Sequence, residues 1–278
     1  MSDRQRLEQH GITPKKSLGQ NFLHDPNALE KIVEIADITP GTTVLEIGPG
    51  TGNLTRVLAR EAARVIAVEV DERLISLLNA EFAGQPRVEI VHGDILDIDI
   101  SARLAGQPYV VVANLPYYIT SAILLHLFEQ VTPRPERIIV TVQREVAERI
   151  TAAPGDMSLL AVSVQFYGQP QIAMHLKPAA FWPRPDVESA VVRIDVYNTP
   201  PVDVPGENDF FRVVRAGFGQ KRKQLRNALS AGLHLDKRQI DDLLTASGID
   251  PTRRAETLSL SEWAALTRAV TGSASGLR

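Results

Sequence analysis

The stretch TTVLEIGPGTGNLT (residues 42–55) decides the fold. Its first part is a short apolar run, which ends in glycines at three alternate positions, Gly48, Gly50 and Gly52. NLTRVLAREA (53–62) follows with helical spacing. A buried strand that turns through glycine into a helix is how a parallel α/β sheet begins. The residues on either side repeat the pattern. VIAVEV (65–70), VEIVHGD (88–94), YVVVANLP (109–116) and RIIVTVQ (137–143) are further strand-like runs. Between them, DERLISLLNAEF (71–82) sets Leu74, Leu77, Leu78 and Phe82 on one helical face, and TSAILLHLFEQ (120–130) opens with Thr and Ser as cap candidates. Near-continuous Val/Ile strands separated by helices predict a parallel sheet covered on both faces.

Beyond residue 158 the alternation stops. SLLAVSVQFYG (158–168) and SAVVRIDVY (189–197) read as two strands, with the proline-rich HLKPAAFWPRPDVES (175–189) between them, so a late antiparallel addition to the sheet is expected. NTPPVDVPGEND (198–209) reads as a linker. FFRVVRAGF, KRKQLRNALSAGL, DKRQIDDLLTAS and LSEWAALTRAV then predict a small all-helical domain, and the terminal TGSASGLR reads as a frayed end. The expected division is 1–200 and 201–278, with residues 1–20 as a partly flexible basic arm.

Composition narrows the chemistry. The 278 residues contain no cysteine, which excludes disulfides, cysteine zinc sites, iron–sulfur clusters and any cysteine nucleophile, covalent cytosine C5 methylation included. The six histidines show no HExxH-like spacing, so no metal is expected. No apolar run approaches the roughly 20 residues of a membrane span, and MSDRQRLEQHGITPKK is too polar for a signal peptide, so a cytoplasmic protein with no membrane contact is expected. Net charge is −3, but it is unevenly spread. Residues 201–278 hold 12 Lys+Arg against 9 Asp+Glu, and Lys221, Arg222, Lys223 and Arg226 cluster there. Local basic surface matters more for phosphate contact than the total.

The glycine turn reads as a cofactor pocket. Glycines let the backbone approach a ligand where a Cβ would block it. Glu69 closes the second strand and Asp94 follows the third, and in a parallel sheet such ends line one crevice. A carboxylate at the first position suits both hydroxyls of a ribose, and an acid at the second suits an adenine amine. A nicotinamide dinucleotide is the rival, since Glu69 lies 19 residues after Gly50. The spacing is GxGxG rather than GxGxxG, however, and Pro49 and Thr51 crowd the seat of a pyrophosphate. Glu46 would repel a pyrophosphate yet suit the ammonium of a methionine moiety. These features favour S-adenosylmethionine.

Asn114-Leu115-Pro116-Tyr117 ends the fourth strand. Adenine N6 is a poor nucleophile because its lone pair is delocalised into the ring. The Asn114 side-chain oxygen and the Leu115 carbonyl are two acceptors able to localise and aim that pair. Pro116 restrains Leu115 to an extended conformation, and Tyr117 offers a stacking face for a base that has left its stack.

LEIGPGTGNLT, Glu69, Asp94, NLPYYIT, SLGQNFLHD (17–25) and FWPRPDVESAVVR (181–193), in this order, resemble the KsgA family of small-subunit rRNA adenine dimethyltransferases over nearly the whole chain. The resemblance implies a Rossmann-like class I S-adenosylmethionine-dependent methyltransferase sheet, cofactor contacts from Asn21, Leu23, Gly48, Glu69, Asp94 and Asn114 with Gln20 beside them, and Phe181 stacked on the adenine opposite Tyr117. It also implies a monomeric enzyme that releases S-adenosylhomocysteine and dimethylates N6 of two adjacent adenosines in a hairpin loop near the 3′ end of 16S rRNA, within a pre-30S particle gripped by the basic helical domain. Three other readings stay open: a resistance methyltransferase acting on a large-subunit rRNA adenine, an assembly or transcription factor that only binds, and a nicotinamide oxidoreductase.

Overall fold

Residues 3–15, 18–116, 119–220 and 222–275 are described by the computed structural model of the chain. The chain divides into two compact units, Met1–Ala147 with Gln169–Val196, and Glu148–Gly168 with Tyr197–Arg278.

In the first unit α1 (Asp3–Gln9), β1 (Phe22–Leu23) and α2 (Pro26–Ile35) precede the glycine turn. Asp25 caps α2 by accepting from the Ala28 N–H, and Pro26 occupies the first turn, where a missing N–H costs nothing. Then β2 (Thr43–Ile47), α3 (Asn53–Glu61), β3 (Arg64–Glu69), α4 (Glu72–Glu81), β4 (Val88–His92), α5 (Ile100–Leu104), β5 (Val110–Asn114), α6 (Thr120–Glu129) and β6 (Arg137–Gln143) alternate strand with helix. α7 (Arg144–Ile150) and α8 (Leu159–Tyr167) are followed by β7 (Gly168–Leu176), β8 (Phe181–Trp182) and β9 (Ser189–Val196). The seven-stranded sheet runs β4-β3-β2-β5-β6-β9-β7. β2 pairs parallel with both β3 and β5, while β6 pairs antiparallel with β9. The order reverses at β2, which opens a crevice beyond the carboxyl ends of β2, β3, β4 and β5. The antiparallel β9 separates this sheet from the all-parallel order of the dinucleotide-binding fold, so topology weighs against the nicotinamide reading.

The apolar strands explain the core. Val44, Leu45, Val65, Ile66, Ala67, Val111 and Val112 are all fully buried, as expected of a sheet covered on both faces. Leu74, Leu77 and Leu78 are buried as the helical spacing requires, packed with Phe82, Phe22 and Leu7.

Two local expectations fail. SLLAVSVQFY is the helix α8 rather than a strand, capped by Ser158, whose hydroxyl accepts from the Ala161 N–H at 3.1 Å. A run apolar on every side fits a buried helix as well as a buried strand. The strand is the next segment, GQPQIAMHL, whose interior residues alternate in exposure. The arm expected to be partly flexible contains the helix α1, which buries Leu7 completely. At the other end, α12 runs to Ser275, within the terminal TGSASGLR. Neither Thr120 nor Ser121 caps α6: Ile119 holds the cap position without a side-chain bond, and the Thr120 hydroxyl donates to the Pro116 carbonyl.

The second unit is helical: α8 with α9 (Glu207–Phe218), α10 (Leu225–Leu233), α11 (Lys237–Ala246) and α12 (Leu260–Ser275). Its centre is aromatic. Phe166 stacks on Phe210 with centroids 4.5 Å apart, Tyr167 stacks on Phe211 at 5.6 Å, and Trp263 is fully buried beside Phe218. Such contacts combine large apolar burial with edge and face preferences that fix the packing. Among the described residues no helix is long and apolar enough to cross a membrane.

Candidate active site

The crevice at the strand ends is a cavity lined by the glycine turn, the ends of β3, β4 and β5, and the segment 18–22. Gly48, Gly50, Glu69, Asp94, Gln20, Asn21, Asn114, Leu115 and Pro116 all face it. They come from parts of the sequence up to 96 residues apart, and the parallel register of β2, β3, β4 and β5 brings the strand ends together. Gly50 has φ +60°, and a Cβ there would stand 2.8 Å from the Phe22 ring. Only glycine satisfies both constraints.

Glu69 is 5% exposed. Its Oε2 accepts from the Gly50 N–H at 3.1 Å and its Oε1 from the Asp71 N–H at 2.9 Å. Burial raises its pKa, and the two backbone donors oppose that rise. The carboxyl group is thereby fixed at the cavity wall, and each oxygen keeps a lone pair for a ligand hydroxyl. Asp94 is half-buried, held by accepting from the Leu96 N–H at 3.0 Å.

Asn114 donates from Nδ2 to the Asn21 carbonyl at 2.9 Å. The acceptor Oδ1 is left without a partner among the described residues. Leu115 is 2% exposed; its N–H donates to the Thr141 carbonyl at 3.2 Å, which anchors the loop to β6. The Pro116 carbonyl is taken by Ile119 N–H and the Thr120 hydroxyl. The chain after Asn114 is thus pinned on both sides of Leu115.

Several expected residues lie elsewhere. Glu46 is 1% exposed and is not among the residues that line the cavity; it shares the sheet face of Glu69 but sits two residues deeper along its strand. Burial pushes its carboxyl up to about 8, and the Glu69 charge adds to the rise. Thr55, on α3, offsets part of it, yet the Thr55 hydroxyl and Glu46 Oε2 each stay without a hydrogen-bond partner. Leu23 packs in the core, its carbonyl accepting from Asn53 Nδ2 at 3.0 Å. Phe181, paired with Leu23 across the short ladder, is 3% exposed in the same apolar cluster and does not line the cavity. An aromatic on a two-residue strand has one face to choose, and here the core takes it. Arg226 is spent inside its own unit: Nη1 donates to Asp241 Oδ2 at 2.9 Å, while its Nε is buried and unpaired. Arg222 and Lys223 are exposed. Tyr117 and Lys221 lie outside the described residues.

The apolar lining was not anticipated. Phe22, Val70, Ile95, Ile119 and Ile123 line the cavity, and Val70 is 50% exposed. Position was the available signal, since Val70 and Ile95 each directly follow an acid at a strand end. The cavity therefore couples two anchored carboxylates with apolar walls and a glycine floor. That combination fits an adenosine carrying a charged sulfur side chain.

Residues 11–269 match the family described as ribosomal RNA adenine dimethylase. The chain belongs to that family. It is an S-adenosylmethionine-dependent methyltransferase. The ribosomal RNA small subunit methyltransferase A of Dehalococcoides mccartyi strain BAV1 is 47% identical to it over 94% of this chain and 89% of its own length. The enzyme of that name from Geobacillus kaustophilus is 44% identical over 95% and 93%. Among solved structures, the 23S rRNA methyltransferase ErmE superposes with a TM-score of 0.72 at 27% identity, covering 90% of this chain and all of ErmE. A dimethyladenosine transferase from Plasmodium falciparum gives 0.72 at 25% identity, covering 88% and 95%.

Proposed function

We propose that this methyltransferase dimethylates N6 of two adjacent adenosines in a hairpin loop near the 3′ end of 16S rRNA, on a pre-30S particle. The relatives at 42–47% identity carry the small-subunit name over most of the chain, whereas the large-subunit enzyme ErmE is 27% identical. That contrast favours the small subunit over the large.

One observation carries the chemistry. Asn114 lines the same cavity as Glu69 and Asp94, and its amide is held with the nitrogen turned to Asn21. The free Oδ1 therefore accepts from the N6 amine of an unstacked adenine, and the Leu115 carbonyl provides a second acceptor beside it. Together they hold the amine with its lone pair localised. Glu69 takes the ribose hydroxyls of the cofactor, Asp94 its adenine amine, and Gly48 and Gly50 let the backbone close on it. Bound there, S-adenosylmethionine supplies an electrophilic methyl group on its sulfonium sulfur. Alignment and acceptor placement supply the catalysis, and the N6 proton leaves to water after alkylation. Neither a covalent enzyme intermediate nor a metal is required. Arg222 and Lys223 supply exposed cations for the RNA backbone. The protein acts as a cytoplasmic monomer.

The test is incubation with labelled cofactor and undermethylated small subunits, followed by digestion of the RNA. Label recovered as N6,N6-dimethyladenosine at two adjacent positions is expected; label in large-subunit RNA alone rejects the proposal. Asn114→Ala should lower transfer by at least two orders of magnitude while cofactor binding, read by calorimetry, falls only modestly. Turnover that survives the change removes Asn114 from the acceptor role.

A further inference from the structure

Two contacts of the segment 18–21 border the cavity. On the acceptor side, the Asn21 carbonyl receives Asn114 Nδ2. On the cofactor side, Gln20 Nε2 donates to Asp71 Oδ2 at 2.7 Å. The same Gln20 side chain accepts the Lys15 N–H at 2.7 Å through Oε1. Arg73 donates from Nη1 to the Thr13 carbonyl at 3.0 Å. Every cofactor-side contact converges on one carboxylate. Asp71 is 4% exposed and accepts Arg73 Nε at 2.9 Å and Nη2 at 2.6 Å, a two-point charged pairing. Its own N–H donates to Glu69. The Arg73 guanidinium beside it and the Gln20 amide hold its carboxyl down to about 2.

Nothing in the reaction needs a charge at Asp71, and capping α4 needs only a short polar side chain. The extra bonds all run to Gln20, in the segment 18–21, or to Arg73. We propose that Asp71 is a positioning residue for methyl transfer: it ties that segment across Glu69, and the tied segment presents the Asn21 carbonyl that turns the Asn114 amide oxygen toward the acceptor amine. An untied segment leaves the Asn114 amide free to rotate and offer N–H groups to an amine that cannot use them. The ribose acid and the acceptor residue are thereby linked through one strap of main chain. This inference rests on the methyl-transfer reading above.

The test uses the full chain with undermethylated small subunits and two variants. Asp71→Asn removes the charge but keeps a capping side chain, and Gln20→Leu cuts the strap's direct bond without touching the cap of α4. For both, kcat at saturating cofactor should fall about tenfold or more, since small displacements of an aligned group cost that much. The cofactor Kd from calorimetry should move less than about threefold. Amide exchange at residues 18–22 should quicken in both. Unchanged kcat with a weakened Kd would show that Asp71 and Gln20 serve only to hold cofactor. Unchanged exchange alongside a fall in kcat would remove the strap from the explanation. Wild-type protein that transfers no label overturns the reading beneath this inference, whereas wild-type transfer with unimpaired variants overturns the inference alone.

Discussion

The ends of β2 and β3 each carry a buried glutamate, yet the two sites do opposite things. Glu69, at 5% exposure, reaches the cavity and is held by two backbone N–H groups. Glu46, at 1%, sits below the glycine turn with Oε2 unpaired and its carboxyl pushed up to about 8. Residue type is the same, and both are buried. The register puts both on one face of the sheet, so the difference lies in Glu46 sitting two residues deeper along its strand and in the two backbone N–H groups that meet Glu69. An acid at a strand end becomes a ligand group only when the backbone around it has already satisfied part of its charge.

Glu69→Gln should break the comparison from the functional side and give the largest effect. The amide keeps the shape but turns an N–H₂ toward donors, either the Gly50 N–H or a ribose hydroxyl. Charged hydrogen bonds of this kind are worth about 1.5–3 kcal/mol each, so cofactor Kd measured by calorimetry should rise by roughly tenfold to a hundredfold. Glu46→Gln in the same experiment should move Kd by less than about threefold. Equal losses in the two variants would mean that Glu46 also reaches the cofactor.

How far the sequence revealed this site depended on side-chain direction. Strand ends, the glycine turn and the acids after β3 and β4 were legible because period and punctuation are properties of consecutive residues. The faces of Leu23 and Phe181 were not, because motif adjacency says nothing about which side of a strand a residue takes, and Glu46 lies two residues deeper than the strand end that meets the cavity. SLLAVSVQFY was misread for a related reason. With no polar side it carries no period, and the signals that settle it are Ser158 as a cap and Gln165, whose amide spans to the Ile150 and Ala152 carbonyls. Arg226 shows the same gap in the helical unit, where a basic run hid a residue consumed by Asp241.

The second prediction sharpens the comparison through pH. Glu46 ionises near 8 in the fold and near 4.5 when the chain is open. Between those values the unfolded chain gives up a proton that the folded protein keeps. Folding therefore loses free energy as pH rises, by at most about 1.4 kcal/mol per pH unit, and the loss levels off above 8. Glu46→Gln has no such proton. In denaturant melts of the two proteins at pH 5, 6.5 and 8, the variant's relative stability should climb steadily with pH. Glu69, whose pKa is raised in the same direction, is present in both proteins and largely cancels from the difference. A gap that stays flat across this range would show Glu46 ionised and paired in solution.

Thr55→Val should give the smallest effect, and it probes why Glu46 stays unpaired. The hydroxyl is fully buried and without a partner, so an isosteric methyl removes an unsatisfied polar group at little packing cost. Stability at pH 5, where Glu46 is protonated, should change by no more than about 1 kcal/mol, in either direction. Near pH 8 the outcome separates two pictures of the space below the glycine turn. If Thr55 remains unpaired when Glu46 ionises, the valine variant tracks wild type throughout. If the hydroxyl swings to meet the carboxylate, the variant falls behind as pH rises, and the double variant with Glu46→Gln abolishes that difference. The part Thr55 takes in holding the Glu46 pKa down favours the second. The decisive measurement is the pH dependence of the coupling between the two positions rather than either single change.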